Sequence, residues 1–317
     1  MLGTVFYFIL NMSIASSFVI AALLLIRQIR PLPRRIVYPL WALAFFRLVM
    51  PFTLPTNWSL FNFTGGLVKR LVAFETVVQG AVPMPESGYI WTMNFVAVAE
   101  RYAPIEYRTE LLRQVFTTAS AIWAIIAAAM LLTACVLYML TRKELKVAVR
   151  IRDNIYRSDM LLSPVLTGLF RPKIILPDSL DPDCAEGKMI LAHENIHKLR
   201  LDNLWRLISI CITSLHWFNP LSWIMLKAFF TDMELSCDEE VIRKYDSEGR
   251  RVYAETLLSF AEGKRLLIST AFGRSGVKVR IVNVLNYKRL SIIGAVASSL
   301  FLLAITVVLI TNPRFRA

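Results

Sequence analysis

Long uninterrupted runs of apolar residues dominate the hydrophobic pattern of the chain. Three of them, at residues 5–26, 116–140 and 290–311, are long enough to cross a membrane as helices, since a span needs about 20 residues to cover a hydrocarbon core about 30 Å thick. A fourth run, at 36–55, is weaker because two prolines and one arginine interrupt it. The pattern predicts four transmembrane helices.

Shorter elements lie between the third and fourth runs. Residues 163–180 are apolar and β-branched, with prolines at positions typical of edge strands. Residues 187–205, "GKMILAHENIHKLRLDNLW", have the apolar spacing of an amphipathic helix. Residues 204–230 are apolar but contain charged residues and a break at Asn219-Pro220. We predict two helices there, hinged at the break and lying against or partly within the inner leaflet.

The overall composition is that of a membrane protein. Hydrophobic residues make up 56% of the chain and the mean hydropathy is +0.53, well above the values of soluble globular chains of this size. The four cysteines have no CxxC spacing, so the sequence indicates neither a disulfide framework nor a thiolate zinc site.

The positive charge lies on one side of the predicted spans. Net charge is +13, and segment 27–35 holds four arginines without an acid, whereas 52–114 holds five basic and five acidic residues. By the positive-inside rule the short basic loop is cytoplasmic, which places 53–114 outside and 141–289 inside. Anionic lipid is the expected partner of this charge, and no direct binding of nucleic acid is expected.

The chemistry of the chain is concentrated in an H-E-x-x-H element. His193 and His197 are four residues apart, so on a helix they share a face and can occupy two corners of a tetrahedral zinc site. Glu194 then lies beside the metal and can accept a proton from a metal-bound water. This pattern predicts one zinc ion and water activation by Glu194.

A third metal ligand is needed, and "TDMELSCDEEVIRKY" offers carboxylates. Glu234, 37 residues after His197, is the expected ligand, and Asp238, four residues further on, is expected to support a histidine from behind. The neighbouring Glu239 and Glu240 are expected to form a solvated acidic face. His216 lies among aromatic residues and is expected to be an uncharged, hydrogen-bonded histidine.

These motifs together resemble the BlaR/MecR family of membrane metallopeptidases. The resemblance rests on "GLFRPKIILP", "AHENIHKLRLDNLW", "HWFNPLSW" and "ELSCDE", which occur in that order. It implies a gluzincin-type zinc domain with His193, His197 and Glu234 as ligands and Glu194 as catalytic base. Known members continue after the last span into an extracellular penicillin-binding sensor linked to β-lactam resistance, whereas only residues 312–317 follow here. Either the chain is a relative that lacks that sensor, or the sequence is cut after the fourth helix.

The resemblance also implies two features of substrate handling. The strand Ile174, Ile175 and Leu176 is expected to be an edge strand that pairs with an extended substrate peptide. Self-cleavage is expected between the zinc domain and the last span, where the sequence favours an extended or locally opened chain. The segment consists of Ile268, Ser269, Thr270, Ala271, Phe272, Gly273, Arg274 and Ser275.

The predicted fold class is an α-helical integral membrane protein with four transmembrane helices and a cytoplasmic α+β gluzincin-type zinc metallopeptidase domain. The sequence divides into six parts. They are two transmembrane helices in 1–55 with the cytoplasmic loop 27–35, an extracytoplasmic loop at 56–114, a third helix at 115–140, the zinc domain at 141–289, a fourth helix at 290–311 and a short extracytoplasmic tail at 312–317.

The expected function is that of a bacterial membrane zinc endopeptidase that relays a signal by cutting a cytoplasmic protein, such as a transcriptional repressor, and also itself. A membrane quality-control protease or CAAX prenyl protease is the first alternative. A non-enzymatic membrane scaffold or channel with a zinc site is the second, and it is less favoured because it has no need of Glu194. The expected partners are the protein substrate, the lipid bilayer and a second copy of the chain in a homodimer.

Overall fold

The computed structural model describes residues 2–29, 32–50, 55–56, 110–145, 148–262 and 273–287, together with short stretches between 294 and 313. Most of the predicted fourth span and of the loop 56–114 therefore lies outside the described residues.

The N-terminal part consists of apolar helices. Helix α1 is Leu2–Ile26, α2 is Arg34–Val37, a 3-10 turn at Tyr38–Leu40 leads into α3 at Trp41–Val49, and α4 is Glu110–Glu144. Among the described residues, two helical segments are long and apolar enough to cross a membrane, Val5–Ile26 and Gln114–Lys143. The weaker run at 36–55 is helical only as far as residue 49, and the 3-10 turn with its proline interrupts it. Four spans remain a prediction.

A four-stranded sheet precedes the histidine helix. Its strands are β2 (Val149–Arg152), β3 (Ile155–Ser158), β4 (Val165–Thr167) and β5 (Lys173–Pro177), and their order is β2-β3-β5-β4. Strand β5 pairs in parallel with β3 and antiparallel with β4. Two further strands of two residues each, β1 at Pro55–Thr56 and β6 at Asn312–Pro313, pair with each other in parallel.

The sheet order corrects the expected substrate-pairing strand. Ile174, Ile175 and Leu176 lie in β5, which has a neighbour on both sides and offers no free edge. Their side chains are almost fully buried. This agrees with the continuous apolar run in the sequence, which is typical of a strand covered on both faces. The strand with a free edge on this side of the sheet is β4.

Within the described parts of 178–287, five helices follow the sheet. They are α5 (Ala185–Arg200), α6 (Asp202–Leu215), α7 (Pro220–Ile242), α8 (Ser247–Glu262) and α9 (Gly273–Leu285). The first turn of α5 packs closely on the preceding loop, where a Cβ at Gly187 would overlap with the carbonyl oxygen of Asp181. Leu201 joins α5 to α6 in the left-handed conformation, with φ +55°, which is unfavourable for a side chain of its type.

The break in the apolar segment 204–230 occurs at the predicted place. The side chain of Asn219 caps α7 by accepting a hydrogen bond from the N–H of Leu221 at 2.9 Å, and Pro220 occupies the first turn. Both features are favoured at the start of a helix because the first N–H groups have no partner within it. Helices α6 and α7 therefore form a hairpin.

The tip of this hairpin is inserted among the apolar N-terminal helices. His216 Nε2 donates to the carbonyl oxygen of Leu48 at 3.0 Å, and Asn219 Nδ2 lies 2.9 Å from the hydroxyls of both Ser13 and Ser17. The Trp123 indole donates to the carbonyl of the last α6 residue at 2.8 Å. Buried side chains of α1, α3, α6 and α7 form one hydrophobic cluster around these contacts. His216 is hydrogen-bonded here, as predicted.

Two acids of α7 bind the basic loop. The buried carboxylate of Asp232 accepts from Arg27 Nε and from the indole of Trp41, each at 2.9 Å. Glu239 accepts from the backbone N–H groups of Arg34 and Arg35 at 3.0 Å. The expectation that Glu239 lies on a solvated acidic face is therefore wrong, because its carboxylate compensates the unpaired N–H groups at the start of α2.

Replacing Asp232 by alanine should destabilise the protein markedly. The substitution leaves the buried indole of Trp41 without an acceptor and the partly exposed guanidinium of Arg27 without its ion-pair partner. We expect a loss of about 2–4 kcal/mol in the free energy of unfolding, visible as a lower thermal midpoint by circular dichroism. The control is Asp178→Ala, whose carboxylate is 59% exposed and 3.8 Å from Arg157, and it should change the midpoint little. Equal midpoints for both variants would contradict the anchoring role.

Candidate metal centre

Helix α5 presents its two histidines to a cavity of about 240 Å³. Both imidazoles are only 4% exposed, and their Nε2 atoms lie 3.0 Å apart. Glu194, between them in sequence, is half-buried and lines the same cavity. The spacing of four residues brings the rings together because it is close to one helical turn.

Helix α7 supplies a carboxylate to the same point. Glu234 Oε2 lies 3.6 Å from His193 Nε2, and Oε1 lies 3.7 Å from His197 Nε2. Two ligand atoms on one tetrahedral zinc ion, each at about 2.0–2.1 Å, are about 3.3–3.4 Å apart. The three separations in this structure lie on either side of that value, so the donor set fits a first-row metal ion.

The outer nitrogen of each imidazole faces a buried carboxylate. His193 Nδ1 lies 3.2 Å from Asp238 Oδ1 and 3.0 Å from the hydroxyl of Tyr253, which itself donates to Asp238 at 2.7 Å. His197 Nδ1 lies 2.6 Å from Asp202 Oδ2. Both Nδ1 atoms are thus assigned as proton donors, which leaves the Nε2 lone pairs converging on one point. A hydrogen bond from the outer ring nitrogen to a carboxylate is typical of histidines that bind a metal ion.

Positive charge surrounds Glu234. Arg206 Nη2 lies 2.5 Å from Oε1, and Arg280 Nη1 lies 3.1 Å from Oε2. Burial alone would raise the pKa of Glu234, but the guanidinium of Arg280 and the imidazoles of His197 and His193 outweigh it and hold the pKa well below its usual range. The carboxylate is therefore ionised, as a metal ligand must be.

The neighbouring carboxylates raise the pKa values of the two histidines. Burial lowers the pKa of His193, but hydrogen bonds to Asp238 and Glu234 raise it to about 9. The pKa of His197 is also raised well above its usual value, because Glu234 and Asp202 outweigh burial. The neighbouring carboxylates therefore favour a positive charge at both imidazoles.

Arg280, on α9, connects the carboxylates on this side of the site. Its Nε and Nη2 atoms donate to the two oxygens of Asp238 at 2.8 and 2.7 Å. Burial raises the pKa of Asp238, but the charge of Arg280 and its hydrogen bonds hold the pKa well below the usual range. The guanidinium of Arg280 thus bridges Asp238, which lies behind His193, and Glu234, which lies on the metal-binding side of that histidine.

Strand β4 forms one wall of the cavity. The lining residues on this side are Ser163, Pro164, Val165 and Leu166. Asn203, at the start of α6, donates to the carbonyl oxygens of Leu166 and Gly168 at 2.9 and 3.2 Å. Asn203 thereby fixes the edge strand of the sheet beside the two histidines and occupies two of its carbonyl oxygens.

Comparison with known proteins agrees with this geometry. A profile of the BlaR1 peptidase M56 family matches residues 7–284, which is most of the chain. The chain belongs to the BlaR1 peptidase M56 family. The resemblance drawn from the motifs is confirmed, and the coarse assignment is a membrane-associated metallopeptidase whose family implies a metal ion.

One relative is the regulatory protein BlaR1 of Bacillus licheniformis. It is 34% identical over 165 residues, which cover 50% of this chain and 28% of the relative. The matched segment is thus well under two thirds of the relative's length.

The structure brings together the residues predicted from sequence for the metal site. These residues, which line the cavity or lie directly behind it, are His193, Glu194, His197, Glu234 and Asp238. Of the predicted self-cleavage segment, Ile268, Ser269, Thr270, Ala271 and Phe272 lie outside the described residues. Gly273, Arg274 and Ser275 begin helix α9, so this end of the segment is helical and not extended as expected.

Sequence reasoning missed four residues that contact the site. Asp202 follows His197 by five residues, just after the left-handed turn at Leu201. Tyr253 and Arg280 come from α8 and α9, far along the chain. Arg206 was noted only as a charge within an apolar segment. Asp202 alone had a local signal, since it is an acid in the first turn of the helix after the motif.

Metal binding should depend on the predicted ligands and not on the third histidine. We expect His197→Ala and Glu234→Gln to lower the affinity for Zn²⁺ by at least tenfold, because each removes one donor atom. The control is His216→Gln, which keeps an N–H donor for the Leu48 carbonyl and should bind one equivalent as the wild type does. Calorimetric titration of the full-length protein in detergent gives the affinities, and a loss in the His216 variant equal to that in the others would contradict the assignment.

Proposed function

We propose that this protein is a zinc endopeptidase that relays a signal by cutting a cytoplasmic protein. The observation that carries the proposal is the convergence of His193 Nε2, His197 Nε2 and the Glu234 carboxylate at one wall of a cavity that Glu194 also lines. His193, His197 and Glu234 would hold the metal. A scaffold or channel would need the metal ligands but not a free carboxylate beside them.

Three acidic residues have separate roles in the proposed hydrolysis: Glu194 transfers the proton, and Asp202 and Asp238 orient the histidines. When bound, zinc lowers the pKa of a coordinated water to about 7 and polarises the peptide carbonyl. The carboxylate of Glu194 accepts the proton of the attacking water and passes it to the leaving amine. Asp202 and Asp238 keep both histidines in the tautomer that binds metal through Nε2.

The substrate is proposed to bind as an extended strand along β4. Among the described residues this strand is the last of the sheet and lines the cavity next to the histidines, and a substrate strand would displace or bypass the side chain of Asn203 at its outer carbonyls. Backbone pairing with an exposed edge accepts many sequences, provided that the segment can be extended. A repressor with an accessible linker would meet this requirement, and the chain's own segment 268–272, for which the sequence favours an extended or locally opened chain, is a second candidate substrate.

A cytoplasmic site is supported by the contacts of the basic loop. The loop 27–35 is bound to α7 through Asp232 and Glu239, so it lies on the same side as the metal centre. Arginine-rich short loops stay in the cytoplasm. The pairing of β1 with β6 supports a common side for the ends of the second and fourth predicted spans.

Glu194→Ala tests the mechanism. We expect this variant to bind zinc as the wild type does and to lose proteolysis, because the substitution removes the proton acceptor and no metal ligand. Both proteins are incubated with a library of proteome-derived peptides, and new termini are identified by mass spectrometry. Intact mass of the two proteins also reports a nick between Ile268 and Val277. Cleavage by the variant at the wild-type rate would rule out this role of Glu194.

Cysteine labelling tests the sidedness. A cysteine at Pro33 should resist an impermeant maleimide in intact cells, and one at Gly88, which lies outside the described residues, should react. Each is introduced into a parent protein whose four native cysteines are replaced by alanine, and that parent is the blank. The reverse labelling would place the metal centre outside and exclude cytoplasmic substrates.

A further inference from the structure

The N-terminal helices reach the metal centre through one tyrosine hydroxyl. Tyr38 lies in the 3-10 turn between α2 and α3, and its hydroxyl donates to Asp202 Oδ1 at 2.9 Å. The other oxygen of the same carboxylate, Oδ2, lies 2.6 Å from His197 Nδ1. One carboxylate therefore binds the membrane part of the chain with one oxygen and a predicted metal ligand with the other.

The geometry of this connection is fixed. Asp202 is fully buried, so water does not replace a lost partner readily. The ring of Tyr38 stacks on Phe229 of α7, with centroids 5.4 Å apart and planes inclined by 18°, and Arg200 lies over the same ring at 5.7 Å. The hydroxyl therefore has little freedom of its own, and its position follows that of the helices that carry it.

The same helices are anchored on the other side of the site. Trp41 and Arg27 bind Asp232, and the N-terminus of α2 binds Glu239. Both acids belong to α7, which also carries Glu234. The segment from residue 27 to residue 41 thus contacts the helix of one metal ligand directly and the ring of another through Asp202.

We propose that Tyr38 is a positioning residue for the metal centre, which orients His197 through Asp202 and makes the metal affinity depend on the placement of the N-terminal helices. The inference rests on the proposed function, since it assumes that His197 binds metal. It assigns to the α2–α3 segment a role in the site that cannot be read from the H-E-x-x-H motif. A shift of these helices would change the metal site without any contact to the ligands themselves.

Tyr38→Phe is the decisive variant, because it keeps the stacked ring and removes only the hydroxyl. Co²⁺ alone is titrated into the full-length metal-free protein, and its visible absorption reports affinity and ligand geometry. Loss of a contact behind a metal-bound histidine typically weakens metal binding by about 10- to 100-fold. Tyr38 is one step further away, so we expect a loss of about three- to tenfold. The control is Tyr156→Phe on strand β3, which should bind Co²⁺ as the wild type does.

A second readout is independent of metal. The chain contains only three histidines, so protein labelled with ¹⁵N in histidine alone gives three imidazole patterns in a long-range NMR spectrum. In the metal-free Tyr38→Phe protein, we expect the Nδ1 signals of His197 to shift and those of His216 to stay. Variants of His193 and His216 to glutamine assign the three patterns.

Three outcomes would overturn the inference. Unchanged Co²⁺ affinity and unchanged His197 signals in Tyr38→Phe would overturn it alone and leave the proposed function in place. Shifts of similar size at His216 and His197 would indicate a general loosening of the fold instead of a positioning role. Failure of the wild-type protein to bind Co²⁺ or Zn²⁺ at all would overturn the proposed function and this inference together.

Discussion

The Nε2 atoms of His193 and His197 lie only 3.0 Å apart, a separation at which two lone pairs would repel each other. Such an arrangement is repulsive unless a cation stands between or beside them, and a third group, the carboxylate of Glu234, adds negative charge at the same point. Carboxylates behind both rings prevent them from turning away. The buried carboxylates of Asp202 and Asp238, which lie behind the rings, therefore help to make the site favourable for a cation. Each of the helices α5 to α9 supplies at least one group in or around the cluster.

The parts of this centre that follow from sequence are those governed by local geometry. A spacing of four residues places His193 and His197 on one face of any helix, and the same spacing relates Glu234 to Asp238. The apolar runs and the break at Asn219-Pro220 are equally local, since they depend on length and on the chemistry of a few neighbouring residues. In contrast, Tyr253 and Arg280 meet Asp238 only because α8 and α9 fold back onto α7. No pattern within the chain indicates such a meeting.

Two predictions failed for related reasons. The run Ile174 to Leu176 was assigned to a substrate-pairing edge because the family resemblance implied it and because prolines in 163–180 suit edge strands. The continuous apolarity of the run is the stronger signal and indicates a strand covered on both faces. Glu239 was assigned to solvent because it lies in a row of acids, yet its carboxylate meets the N-terminus of a helix 205 residues earlier in the chain. In both cases one feature of the sequence was outweighed by the partners that surround the residues in the fold, two neighbouring strands for Ile174 to Leu176 and a distant helix for Glu239.

The hairpin of α6 and α7 has a consequence for the order in which the molecule can be assembled. The polar side chains at its tip, His216 and Asn219, form hydrogen bonds with Leu48, Ser13 and Ser17, and the Trp123 indole donates to the end of α6. All of these partners precede the hairpin in the chain. During synthesis from the N-terminus they exist before the tip emerges. Asp202 and Glu234 lie on the two arms of the hairpin, so the contacts at its tip help to hold both acids beside the histidines. A chain that ends before α7 would therefore contain the H-E-x-x-H helix but lack Glu234, one of the predicted metal ligands.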